Sequence, residues 1–128
     1  MANPGWSWQQ ALHDALSAAL GIPIYDGAVP DGAQHPYAVI GREVTTNHGG
    51  LTARRVDGLV HVTVWSTHTG RQEMRQILAA IDAALHNKRL PMDEGQRATA
   101  RIQRTRITME PDGQTHRGLV VVRVTTEH

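Results

Sequence analysis

The sequence predicts an α+β domain of two layers, a mostly antiparallel sheet of about four to five strands with two helices on one face. Three observations carry that expectation. Two segments, one near the N-terminus and one from Met74 to Leu85, repeat apolar residues at helical spacing. The other well-marked segments alternate apolar and polar residues with a period of two. Their links, at Asn47–Arg55 and Pro111–Gly113, have the composition of hairpin connections. A chain of 128 residues is one domain long, so the whole of 1–128 is read as a single unit.

The first helix begins at Ser7, which can cap it with Gln10 as the capping-box partner. Trp8, Leu12, Ala15, Leu16 and Ala19 then share one face, and Gly21 with Pro23 stops the helix. Ile22–Tyr25 is a short apolar segment suited to an edge strand. Asp26-Gly27 and Pro30-Asp31-Gly32 are turn signals. A longer strand runs from Tyr37 to about Thr46, with Pro36 just outside it. Its alternation puts Tyr37, Val39 and Gly41 on one side and Ala38, Ile40 and Val44 on the other.

Val56–Trp65 follows, with Val56, Val60, Val62 and Val64 in one phase. The opposite phase holds Leu59 and Trp65 as well as polar residues, which marks a central strand. Thr69 and Gln72 form a second capping-box pattern. Met74, Ile77, Leu78, Ile81 and Leu85 then fall on one helical face without a miss. Asn87-Lys88-Arg89 ends this helix, its two cations suited to the negative end of the dipole, and Pro91 marks the stop. Ala98, Ala100 and Ile102 alternate in phase, whereas Ile107 and Met109 are one residue out. One β-bulge near Arg104–Arg106 restores a single apolar face. Pro111-Asp112-Gly113 turns the chain into a last strand from His116 to Thr126.

Composition excludes much. There is no cysteine, hence no disulfide and no thiolate metal site. The longest apolar run, Ile77–Ile81, is far short of the roughly 18 residues that span a bilayer. Eight histidines invite a metal, but no pair of them has ligand spacing on a helix. Ser7, Ser17 and Ser66 lie in no nucleophile elbow, and Gly49-Gly50 lacks the rest of a phosphate loop. The pattern holds no enzyme signature, and no cofactor or metal is expected.

The net charge of +1 is unevenly spread, because Lys88–Arg106 alone carries +4. Arg97, Arg101, Arg104 and Arg106 share the polar face of their strand once the bulge is counted. They form either a solvated outer face or a positive stripe for phosphate or an acidic partner. The second candidate is the arm at Asn47, His48, Gly49, Gly50, Arg54 and Arg55, read either as a mobile hairpin tip or as a segment that orders on a neighbour.

Several phrases recur in a known order. An Ala-Leu-rich helix leads to Ile24-Tyr25-Asp26-Gly27-Ala28-Val29-Pro30, then to His35-Pro36-Tyr37-Ala38-Val39-Ile40-Gly41. Val62-Thr63-Val64-Trp65-Ser66 and Gly70-Arg71 precede the second helix, and Glu110-Pro111-Asp112-Gly113 precedes His116-Arg117-Gly118 and a Val-rich strand. From about Ala11 to Thr126 this resembles the small tail completion and tail terminator proteins of long-tailed phages and gene transfer agents. The resemblance implies a mixed α/β fold and a structural part without catalytic residues or cofactors. It implies a homo-oligomeric ring, usually a hexamer, on the head-proximal end of the tail tube. Its partners would be further copies of itself, the tail tube protein and the head–tail connector, with DNA passing through the lumen without sequence-specific binding and no membrane involved. The expected location is the tail of a virion or phage-like particle, assembled in the host cytoplasm. The competing expectation is a monomeric nucleic-acid-binding α+β domain that uses the arginine strand.

Overall fold

The computed structural model describes residues 4–48, 55–67, 71–91 and 97–127. Its elements in chain order are α1 (Pro4–Ala19), β1 (Ile24–Asp26), β2 (Tyr37–His48), β3 (Arg55–Ser66), α2 (Gln72–Leu85), β4 (Lys88–Pro91), β5 (Arg97–Met109) and β6 (His116–Glu127). One six-stranded sheet has the order β1-β2-β3-β6-β5-β4. Only β1 and β2 run parallel; every other neighbouring pair is antiparallel. The expected α+β architecture is present, with six strands instead of four to five. The additional strand is β4, at Lys88–Pro91, where a helix end and its stop signal were expected.

Strand alternation explains why the helices share one side. Val60, Val62 and Val64 of β3, Val120, Val122 and Val124 of β6, and Ala98 and Ala100 of β5 are all buried on one face. Ala38 and Ile40 of β2 continue it. Against this face pack Leu12, Leu16 and Leu20 from α1 and its C-terminal end, and Met74, Ile77, Ile81 and Leu85 from α2. Each fully buried aliphatic side chain is worth about 1.5–3 kcal/mol. With no Phe in the chain, branched aliphatics supply the bulk of this core.

Local details depart from sequence expectation in instructive ways. α1 starts at Pro4, where a missing N–H costs nothing, so Ser7 lies inside the helix. Its buried stripe is Ala11, Leu12, Leu16 and the following Leu20; Ala19 is exposed. The N-cap of α2 is Arg71, with no side-chain cap; Thr69 lies outside the described residues, and Gln72 is the first helical residue. α2 ends at Leu85, and Asn87 turns the chain with φ 56, a conformation that Asn tolerates. Lys88 and Arg89 therefore open β4 rather than cap the helix.

Two bulges decide which faces the long strands present. The ladder of β2 on β3 shifts between Ile40 and Glu43, which pairs Val44 with outward Leu59. Val44 thus leaves the phase of Ala38 and Ile40, contrary to the simple alternation. The ladder of β5 on β6 shifts between Ile102 and Arg104, slightly earlier than expected. Ile107 thereby returns to the core side, opposite Gly118. Gly118 is needed there: a Cβ would meet Met74 Sδ of α2 at 2.6 Å. Among the described residues, no helix is long and apolar enough to cross a membrane.

Candidate functional site

Both helices pack on one side, and among the described residues no helix packs on the other sheet face. β3 contributes Leu59, His61, Thr63 and Trp65 to it, and β6 contributes Arg117, Leu119, Val121 and Arg123, by simple alternation with the buried valines. β2 adds Tyr37, Val39 and Val44. The face is mixed: half-buried Leu59, Trp65, Leu119 and Val121 lie among His61, Thr63 and the exposed Arg117 and Arg123.

The candidate arginines are placed by the register of β5. Arg97 pairs with Glu127, Arg101 with Arg123, Arg104 with Val121 and Arg106 with Leu119. All four positions lie on the open-face register, and the bulge at Gln103 keeps the last two in phase with the first two. Arg101, Arg104 and Arg106 are exposed. Arg101 Nε donates to Asn87 Oδ1 at 3.2 Å, which ties it to the α2–β4 turn. Among the described residues, no carboxylate pairs with Arg104 or Arg106.

Two further arginines on this face were not singled out from sequence. Arg123 Nη2 donates to Asp57 Oδ2 at 2.9 Å, and that carboxylate is almost fully buried. Arg117 lies 6.0 Å from the Trp65 ring centroid and 3.5 Å from Glu110 Oε1. The signal for them was available: residues 117 and 123 share one phase of a strand whose other phase is Val120, Val122 and Val124. Tyr25 and Tyr37 meet edge-to-face at 5.7 Å near the same end of β2 as Trp65, which pairs with Tyr37.

The candidate arm divides. Asn47 and His48 are not a loop: they complete β2, pairing with Val56 and Arg55, the first residues of β3. Gly49, Gly50 and Arg54 lie outside the described residues. The register also joins the two candidate groups, because Arg55 and Arg97 both pair with Glu127, from opposite sides of β6. Arg55 and Arg97 thus stand on either side of β6 at one end of the sheet.

Groups with chemical potential elsewhere have structural work. Ser66 is buried, and its hydroxyl donates to Glu73 Oε1 at 2.6 Å, fastening the end of β3 to the first turn of α2. His13 Nε2 lies 3.3 Å from the Ile24 carbonyl, linking α1 to β1. His86 Nδ1 accepts from the Ile102 amide at 3.1 Å. At the β5–β6 turn, Asp112 takes the Thr115 hydroxyl at 2.6 Å and the Thr115 and Gln114 amides at 2.8 Å each. These bonds, the Thr115 hydroxyl first, hold its pKa down from 3.8 to about 2. Among the described residues, no three His, Asp or Glu side chains gather as metal ligands.

Among the described residues, the geometry on this side is a sheet face that carries no helix and a row of exposed arginines. A sequence model of the tail completion protein gp17 family matches residues 10–127. The chain belongs to that family. Tail completion proteins are structural components of phage-type tails, and the fold is shared with two solved structures. A chain of the virion of a native gene transfer agent particle superposes with TM-score 0.83 at 20% identity, over 100% of both chains. The gp17 protein of bacteriophage SPP1 superposes with TM-score 0.57 at 21% identity, covering 98% of this chain and 96% of that one. No match was found among curated proteins.

Proposed function

We propose that this tail completion protein forms a ring on the head-proximal end of the tail tube, ends tube polymerisation there and docks the tail to the head connector. The observation that carries the reading is the family match across nearly the whole chain. The sheet face on which, among the described residues, no helix packs supports it, since its half-buried apolar side chains offer surface to neighbours. In this reading the arm around Asn47, His48, Gly49, Gly50, Arg54 and Arg55 reaches an adjacent copy or the tube. Arg97, Arg101, Arg104 and Arg106 face either the DNA in the lumen or an acidic neighbour. The protein acts without catalysis or cofactor.

Deleting the gene in a particle-producing strain tests the reading. Electron microscopy is expected to reveal tubes of uncontrolled length and tails without heads. Tails of normal length joined to heads would overturn it. Removing Gly49–Ala53 is expected to leave a folded chain that fails to cap tubes. Reversing the charge of Arg101, Arg104 and Arg106 is expected to lower the titre of infectious or transducing particles. The same arginine row supports a second reading, a monomeric binder of nucleic acid. Duplex DNA binding by a single-chain species, falling steeply with salt, would favour that alternative.

A further inference from the structure

The two edges of the sheet are guarded by short strands, and each guard stops halfway. On one edge, β1 pairs only with Ala38–Ile40 of β2, and the Gly27 amide closes the ladder on the Ile40 carbonyl at 2.9 Å. A bulge follows, and among the described residues nothing pairs with that edge from Glu43 to His48. On the opposite edge, β4 pairs only with Arg97–Ala100 of β5, and His86 caps the Ile102 amide. Again a bulge follows, and among the described residues Arg104–Met109 has no outer neighbour. Among the described residues, each edge thus ends in six residues that have an inner strand partner and no outer one.

A second, independent observation marks the same two segments. Among the described residues the large apolar side chains left exposed are Val44 and Met109, each at 46%. One sits on each open half-edge. Unpaired backbone beside exposed aliphatic surface is what strand addition covers.

We propose that successive copies of this chain join head to tail, the Arg104–Met109 edge of β5 in one copy pairing antiparallel with the Glu43–His48 edge of β2 in the next. The inference rests on the ring reading above and supplies its joint. The strand directions agree, because β2 and β5 run antiparallel to each other within one sheet, so an equally oriented neighbour presents the correct sense. The lengths agree, at six residues each, or about 20 Å of ladder. The faces agree as well: full overlap sets Val44 opposite Thr108, and both lie on the open-face register, beside Leu59 and Arg117 respectively. The two edges differ, so the contact is heterologous and generates rings or filaments, not two-fold dimers. The open halves lie at opposite ends of the sheet, so neighbours are offset along the strands, as tilted strands are in a barrel.

Two experiments on the full chain test the joint. V44K and M109E each place a charge on one half-edge and leave the other intact, M109E setting a carboxylate against Glu43 of the neighbouring copy in the proposed register. Each alone is expected to lose ring mass in light scattering, and an equimolar mixture is expected to give particles of two chain masses and nothing larger. A mixture that stays at one chain mass, or single variants that still assemble like the parent, would overturn the pairing. In the second experiment, V44C/T108C is oxidised at high concentration, with circular dichroism verifying the fold. Covalent multimers are expected from the double variant and none from V44C or T108C alone. Assembled protein without cross-links, or cross-linking by T108C alone, overturns the head-to-tail joint. Cross-linked open chains that never close uphold the joint and overturn the ring.

Discussion

Gly118 offers a quantitative check on how α2 sits on the sheet. It lies on β6 between Val64 of β3 and Ile107 of β5. A Cβ there would stand 2.6 Å from Met74 Sδ and 3.2 Å from Leu78 Cδ2, both on α2. The first distance is at least about 0.8 Å short of ordinary contact, which begins near 3.4 Å. Met74 is fully buried, so its thioether cannot swing into solvent. Either Met74 changes rotamer within a packed core or α2 rises. Overpacking of this kind costs about 1–3 kcal/mol. Gly118→Ala should fall near the lower end because methionine is flexible, and Gly118→Val higher. In urea, with a slope of about 1–3 kcal/mol/M, a loss of about 1.5 kcal/mol moves the midpoint down by roughly 0.5–1.5 M. The decisive measurement is the double-mutant cycle with Met74→Ala. That change alone opens a cavity and costs about 2–5 kcal/mol. In its background, Gly118→Ala should cost nothing or recover stability, because the added methyl enters vacated space. Equal cost of Gly118→Ala in both backgrounds would refute the claimed contact.

Three further outcomes follow from named contacts. Arg123→Ala removes the guanidinium from the buried Asp57 carboxylate and should cost about 1–3 kcal/mol in chemical denaturation, while exposed Arg104→Ala stays within about 0.5 kcal/mol. Ser66→Ala breaks the 2.6 Å bond to Glu73 and should cost about 1 kcal/mol, read from the same midpoint shift. The pKa of Asp112 is lowered from 3.8 to about 2, so its contribution to stability is full above about pH 4 and disappears as pH falls toward 2. Asp112→Asn should therefore flatten the acid dependence of stability in that window, and an unchanged acid profile would show that the turn does not carry it.

Much of the fold is legible in the chain because the signals are local. Met74, Ile77, Ile81 and Leu85 form a buried helical stripe that spacing alone identifies. The two-residue period of Val60, Val62 and Val64 identifies a core strand, and the phase break between Ile102 and Ile107 requires a bulge wherever it sits. The arginine row follows from the same arithmetic. What escaped is short or relational. β1 and β4 have three and four residues, too few to establish a period, and Lys88-Arg89 reads equally well as a helix end. The bulge between Ile40 and Glu43 breaks no run of apolar residues strongly enough to announce itself, so simple alternation puts Val44 on the wrong face.

The sequence by itself determined the layers: which segments are helices, which are the long strands, and most of the residues that turn inward, with Ala19 and Val44 as exceptions. Membership in the tail completion family rests on that same chain of residues. Only the tertiary structure decided the strand order β1-β2-β3-β6-β5-β4, and with it the identity of the two edges. It alone paired Arg123 with Asp57 across 66 positions, and placed Val44 and Met109 on opposite half-open margins. The physical reason is the range of the forces involved. Side-chain periodicity is set by backbone geometry within a few residues. The partner of a strand, and the stretch of edge left without one, depend on which distant segments win the competition for each hydrogen-bonding edge.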